Sequence, residues 1–176
     1  MGAVSGRSAV RVITVTVSDK RKRVHDEAGK ALDTELSTAG FRVIRHNVLS
    51  EEPDYIRAFV SGVANGNEAE AIVMTGGTGI NPRDQTFEAL EGIFEKRFDG
   101  FGEAYRRLSF DAIGPHAILA RPTAGVVNRC IVYSLPGSKR GALLGLQKLV
   151  IPTLEHSVDL AIGHKTHTSG FPPPPA

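Results

Sequence analysis

From residue 10 onward the sequence switches between short runs rich in β-branched residues and longer stretches with helical periodicity, and this alternation constrains the fold most. The runs are VRVITVTVS (10–18), FRVIRHNVL (41–49) and AEAIVMT (69–75), which read as strands. Between the first two lies DEAGKALDTELSTAG, with Asp26 as N-cap, Leu32 and Leu36 four apart and Gly40 as the stop. EPDYIRAFVSGVA follows, placing Ile56, Val60 and Val63 on one helical face. After the third run, DQTFEALEGIF carries an apolar stripe of Phe87, Leu90, Ile93 and Phe94. Strand–helix alternation of this kind predicts βαβ units and a mostly parallel α/β sheet. Ligands of such sheets sit at the carboxyl ends of the strands. Three segments lie there: Ser18-Asp19, residues 49–52, and the loop that begins at Thr75.

The rest fits the same plan. GFGEAYRRLSF reads as a helix behind two glycines, and PTAGVVNRCIVYSL as a hairpin turning at Asn128-Arg129. PGSKRGALLGLQKLVIP reads as a loop into a helix capped by Ser138, and TLEHSVDLAIGH as a separate closing helix. The 176 residues suffice for one domain, expected over 10–163, with a flexible N-terminus (1–9) and a flexible Pro-rich tail (164–176). Lys and Arg total 21 against 19 Asp and Glu, too even for a nucleic-acid surface. No apolar run approaches the ~20 residues of a membrane span, and the N-terminus lacks a signal core. A lone Cys130 excludes an internal disulfide and suits the cytoplasm; in a strand it reads as a small core residue.

The segment MTGGTGINPRDQT (74–86) carries the chemistry. Glycines at a strand–helix junction let backbone N–H groups turn towards an anion, and a helix terminus adds a favourable dipole. Thr75 and Thr78 would offer hydroxyls to the same oxygens. The spacing is neither a Walker A motif nor a dinucleotide fingerprint, and by itself a tight turn without a ligand is an equal reading. Asp84 either caps the next helix or holds Mg2+ against phosphate oxygens. Arg83 pairs with phosphate or is solvated. The basic run Lys20–Arg23 is a solvated stretch, or steers a polyanion towards Asp19. The six histidines are scattered, without a third ligand beside a helical pair.

Together these segments resemble the MoaB/MogA family of molybdenum-cofactor biosynthesis proteins. VMTGGTGINPRDQTFEAL is similar to the family's central motif, TVSDKR to its first strand end, and DEAGKAL to its first helix, with Asp26 and Gly29 in register. GFGEAYRRLSF and AGVVNRCIVYSLPGS resemble its later segments, and the match runs in order from residue 10 to 163. The resemblance implies a single three-layer α/β domain that binds molybdopterin, a pterin with a dithiolene and a terminal phosphate. MogA-type members use Mg-ATP to adenylylate that phosphate, and members form trimers or hexamers. Carried onto this chain, the phosphate loop is Thr75, Gly76, Gly77, Thr78 and Gly79. The functional carboxylates are Asp84 and Glu51, with Mg2+ between them, and Pro136, Gly137 and Ser138 border the nucleotide. Ser18 and Asp19 line the strand-end crevice. Glu103, Arg106 and Ser109 face the pocket region by analogy, or form an ordinary solvated face.

The chain departs from the MogA-type pattern twice. It has Glu51 where aspartate is common, and Ala120-Arg121 where Ser-Arg is common. These departures bear on adenylylation and leave molybdopterin binding intact; the length and the wording of LSFDAIG, AGV and PGS lean towards the MoaB branch. Two expectations follow: a Mg-ATP-dependent molybdopterin adenylyltransferase, or a non-catalytic oligomer that binds molybdopterin or a nucleotide.

Overall fold

The computed structural model describes residues 9–20 and 25–164. The expectations for residues 1–8, for Arg21–Arg23 and for the tail from 165 lie outside them. Six strands form one sheet: β1 (Arg11–Val17), β2 (Arg42–Leu49), β3 (Ala71–Thr75), β4 (Lys96–Arg97), β5 (Thr123–Val127) and β6 (Cys130–Leu135). Their order is β2-β1-β3-β6-β5-β4. The first four in that order are parallel, and β5 and β4 complete the sheet antiparallel.

The two faces of each strand belong to different cores, as the period of two requires. Val12, Val73 and Tyr133 face one layer of helices, α1 (Glu27–Thr38), α4 (Asp99–Ile113), α5 (Lys139–Gly145) and α6 (Ile151–Ala161). Ile13, Ile72 and Val132 face the other, α2 (Pro53–Asn65) and α3 (Thr86–Glu91). The protein is therefore a three-layer α/β domain. The predicted stripes do the covering: Leu32 and Leu36 of α1, and Ile56 and Val60 of α2, are fully buried. Each such side chain contributes about 1.5–3 kcal/mol.

The hairpin turns where expected, with Val127 paired to Cys130. Asn128 and Arg129 both take positive φ, 41° and 67°, the twist that suits a two-residue turn between right-twisted strands. Three helix boundaries differ from expectation. α3 ends at Glu91, so Ile93 and Phe94 follow it and pack against the core from the connection to β4. α4 starts at Asp99, so both glycines lie inside it. Phe101 is buried in its first turn, and a Cβ on Gly102 would stand 3.0 Å from the Pro122 carbonyl, so packing overrides the poor helical propensity of glycine. The two C-terminal helices are one continuous run from Lys139 to Ala161, joined through a π turn at Leu146–Val150. Pro152 has no N–H and its ring would strike the carbonyl four residues back. The widened turn accommodates it, with the Ile151 N–H bonded to the Leu146 carbonyl.

A buried polar cluster fixes the start of α1. Asp26 caps the helix by accepting from the Gly29 N–H at 2.9 Å. Its other oxygen meets His46 Nε2 of β2 at 3.0 Å, and His46 Nδ1 lies 2.8 Å from Thr14 Oγ1, which donates to Asp33. A Cβ on Gly29 would fall 2.3 Å from the Asp26 carboxylate and 2.4 Å from the His46 ring, which is why glycine stands there. Burial opposes the charged His46, but hydrogen bonds and charge from Asp33 and Asp26 outweigh it and raise its pKa. Burial likewise opposes ionised Asp26, and bonds from Thr16, Gly29 and His46 bring its pKa below the usual value. The raised His46 stabilises the fold fully below ~6.5 and loses that share as pH rises through its folded value; the lowered Asp26 contributes above ~3.9 and loses its share as pH falls through its own. The thermal midpoint of His46→Gln should accordingly decline less than that of the wild type between about pH 6 and about pH 9. Parallel scanning-calorimetry curves would exclude this linkage.

Candidate functional site

The parallel strands end level: Val17 pairs with Leu49, Thr16 with Thr75, and Thr75 with Leu135. The segments that follow them converge on a crevice of about 540 Å³ lined by Ser18, Lys20, Glu51, residues 76–79, Asp84 and residues 136–138. Gly76 is where three strand ends meet. Its φ is +105°, its N–H donates to the Leu135 carbonyl at 3.0 Å, and a Cβ there would lie 2.2 Å from the Val17 carbonyl oxygen. Gly77 follows at φ +68°, and a Cβ there would lie 2.2 Å from Thr86 Oγ1.

Every carbonyl of the loop is engaged by the protein. Those of Gly76 and Gly77 accept from Thr86 Oγ1 and Thr86 N at 2.9 and 3.0 Å. Those of Thr78 and Gly79 accept from the backbone N–H of Arg121 at 2.9 Å and from its guanidinium at 2.6 and 2.9 Å. All peptide bonds here are trans, so each carbonyl drawn one way aims the next residue's N–H the other way. Among the described residues no protein group accepts from the N–H groups of Gly77, Thr78 and Gly79. Oriented amides of this kind form an anion-binding concavity.

Two expectations about the loop need correction. Thr75 is fully buried and its hydroxyl donates to the Pro136 carbonyl at 2.7 Å, so it braces two loops and offers nothing to the crevice. The helix after the loop adds no dipole of consequence, because α3 spans six residues and its Thr86 N–H is taken by Gly77. On the opposite wall Ser138 caps α5 as predicted, accepting from the Gly141 N–H at 3.1 Å.

Carboxylates gather at the polar end. Asp19 accepts from the Glu51 N–H at 2.9 Å and from Arg83 at 2.5 and 3.0 Å, and these bonds lower its pKa. Arg83 also reaches Glu52 at 3.1 Å. Burial, then the charges of Asp19 and Asp84, raise the pKa of Glu51. Asp84 is not a helix cap: Gln85 holds that position, and Asp84 Oδ2 accepts from the Asn81 N–H at 3.0 Å to close the turn. A Cβ on Gly79 would lie 2.6 Å from that oxygen, so glycine lets the carboxylate rest against the loop. Among the described residues no three His, Cys, Asp or Glu side chains form a ligand group. Two hard carboxylates beside an anion cradle suit Mg2+, which completes its shell with waters and substrate phosphates.

The remaining predicted residues lie elsewhere. Glu103 and Arg106 line a neighbouring cavity of about 420 Å³ with Phe98 and Arg121. Ser109, buried, belongs to an apolar cavity of about 720 Å³ with Tyr105 and Leu143, which meets the crevice at Ala120, Pro136 and Ser138. Burial pushes the Cys130 thiol up to about 12, so it is no nucleophile. The residues that sequence reading missed as loop supports are Thr86 and Arg121. Thr86 closes the quoted segment 74–86 but nothing in the spacing marks its bonds to the loop, and only the fold brings Arg121 to Gly79.

A family model described as "Probable molybdopterin binding domain" matches residues 11–156. The chain belongs to this molybdopterin-binding family. Among its relatives is molybdenum cofactor biosynthesis protein B of Bacillus subtilis (strain 168), 39% identical over 150 residues, with 85% of this chain and 88% of the relative covered. The Escherichia coli (strain K12) protein of the same description is 33% identical over 145 residues, covering 82% and 85%. A crystal structure of molybdenum cofactor biosynthesis protein B superposes with a TM-score of 0.84 at 33% identity, covering 88% of this chain and 96% of that one. A MogA structure gives 0.78 at 25% identity, covering 86% and 99%. Both branches of the molybdopterin-binding family thus share this fold. No helix among the described residues is long and apolar enough to cross a membrane.

Proposed function

We propose that this protein acts in molybdenum-cofactor biosynthesis, holding molybdopterin by its terminal phosphate and transferring an adenylyl group to it from ATP. The observation that carries the reading is the loop at 76–79, whose carbonyls are all engaged while three N–H groups have no acceptor among the described residues. The N–H groups of Gly77, Thr78 and Gly79 donate to a phosphate, and Lys20 offsets its charge from the rim. Asp19 fixes the Glu51 backbone, and Arg83 ties Asp19 to the turn that carries Asp84. In the transfer a pterin phosphate oxygen bonds to the α-phosphorus of ATP, and the bond to the leaving pyrophosphate breaks. Asp84 and Glu51 would hold Mg2+, which would supply the charge that lets two polyanions approach.

A second reading, binding without turnover, is favoured by Glu51 and by Ala120, which lines the crevice with a methyl group. Incubation with molybdopterin and Mg-ATP distinguishes the two. Adenylylated molybdopterin and pyrophosphate are expected; molybdopterin bound without either product would leave only the binding role.

The same reading includes assembly. Phe110, Ile113, Ile118 and Leu119, on the end of α4 and the 3-10 helix Gly114–Leu119, are 45–68% exposed. Apolar clusters of this kind mark interaction surfaces, and closed symmetric contact between copies would cover them. Light scattering is expected to give a trimer or a hexamer, and a monomer at micromolar concentration would exclude this part.

A further inference from the structure

Arg121 does not line the crevice; its side chain lines the neighbouring cavity instead. Its guanidinium donates through Nε and Nη2 to the Gly79 carbonyl at 2.9 and 2.6 Å. The same group pairs with Glu88 through Nη1 and lies 5.1 Å over the Phe87 ring. Phe87, Glu88 and Thr86 are consecutive residues of α3. The whole loop is therefore referenced to one short helix. Thr86 holds the carbonyls of Gly76 and Gly77, and Arg121, itself seated on Phe87 and Glu88, holds those of Thr78 and Gly79.

The Gly79 carbonyl shares its peptide plane with the N–H of Ile80. Drawing that carbonyl towards Arg121 aims the Ile80 N–H away from it, and among the described residues this N–H also has no acceptor. We infer that Arg121 is a positioning residue: without touching the ligand, its guanidinium sets the Gly79–Ile80 peptide plane and adds the Ile80 amide as a further donor to a bound phosphate. The inference rests on the phosphate-loop reading above. The backbone bond from Arg121 to Thr78 remains in Arg121→Lys, which removes the two-fold grip on Gly79 together with the longer 3.5 Å bond from Nη2 to the Asp84 carbonyl. Lysine keeps the charge but lacks the planar fork that grips one carbonyl twice and stacks on a ring.

The test titrates inorganic pyrophosphate with Mg2+ into the wild type, Arg121→Lys and Glu88→Gln, following amide resonances by NMR alongside thermal midpoints. In the wild type the amides of Gly77, Thr78, Gly79 and Ile80 should all shift on binding. In Arg121→Lys the Ile80 response should vanish and affinity should fall roughly 10- to 100-fold, the scale for losing groups that orient ligating atoms. Glu88→Gln, which leaves both bonds to Gly79, should lower the midpoint with a smaller affinity loss. A silent Ile80 amide beside responding glycines, or wild-type affinity in Arg121→Lys, would overturn the inference and leave the phosphate loop standing. A wild type whose loop amides ignore pyrophosphate would remove both.

Discussion

Replacing Gly76 by alanine is expected to cost about 3 kcal/mol or more, combining roughly 1–3 for a residue held at strained φ with a similar amount for overpacking. The methyl group would enter at φ +105° and meet the Val17 carbonyl oxygen at 2.2 Å. Backbone cannot move aside here, because β1 is hydrogen-bonded between β2 and β3. For a domain of this size each kcal/mol moves the thermal midpoint by about 2–4 °C, so a fall of about 10 °C is the expected result. Gly62 provides the control. It lies exposed in α2, and a Cβ added there would meet nothing within 4 Å, so Gly62→Ala should stabilise by about 0.5–1 kcal/mol. Equal midpoints for the two variants would refute the close approach at Gly76.

Asp84→Ala is expected to abolish adenylyl transfer while leaving pyrophosphate binding largely intact. The donors proposed for phosphate are the backbone amides of residues 77–80, and Asp84 contributes none of them. Its structural share is the bond from the Asn81 N–H at 3.0 Å, about 1 kcal/mol when lost. A variant that turns over at the wild-type rate would confine Asp84 to closing that turn. Glu51→Asp is the companion experiment. Catalytic placement tolerates errors of only about 0.5 Å, and the glutamate arm is one methylene longer than the aspartate common in MogA-type chains. Shortening it should raise turnover. No turnover in either the wild type or Glu51→Asp would assign the crevice to binding alone.

The sheet was legible because its central strands are buried on both faces and read as unbroken apolar runs. AIVMT is one, with all five residues buried. The edge strand β4 has two exposed residues, Lys96 and Arg97, and no run of that length carries a pattern. Gly100 and Gly102 hid the start of α4, because glycine argues for a loop until the packing of Phe101 is known. Pro152 argued for two helices, and only the π turn before it reconciles one rod with one proline. The glycine loop was legible from spacing, but the direction of its amides was not. That direction depends on Thr86 and Arg121, and nothing local in RPTAGV marks the arginine as a partner of Gly79. Asp26 and Gly29 stood out as a motif, whereas the reason for the glycine, the His46 ring beside it, comes from another strand.

The engagement of all four loop carbonyls has a kinetic consequence. The cost of ordering the loop is incurred when the chain folds, so a phosphate meets preorganised donors and little conformational entropy remains to be lost on binding. Capture should then be limited by diffusion and by charge at the rim rather than by loop closure, and the association rate should fall with ionic strength while varying little with solvent additives that slow segmental motion.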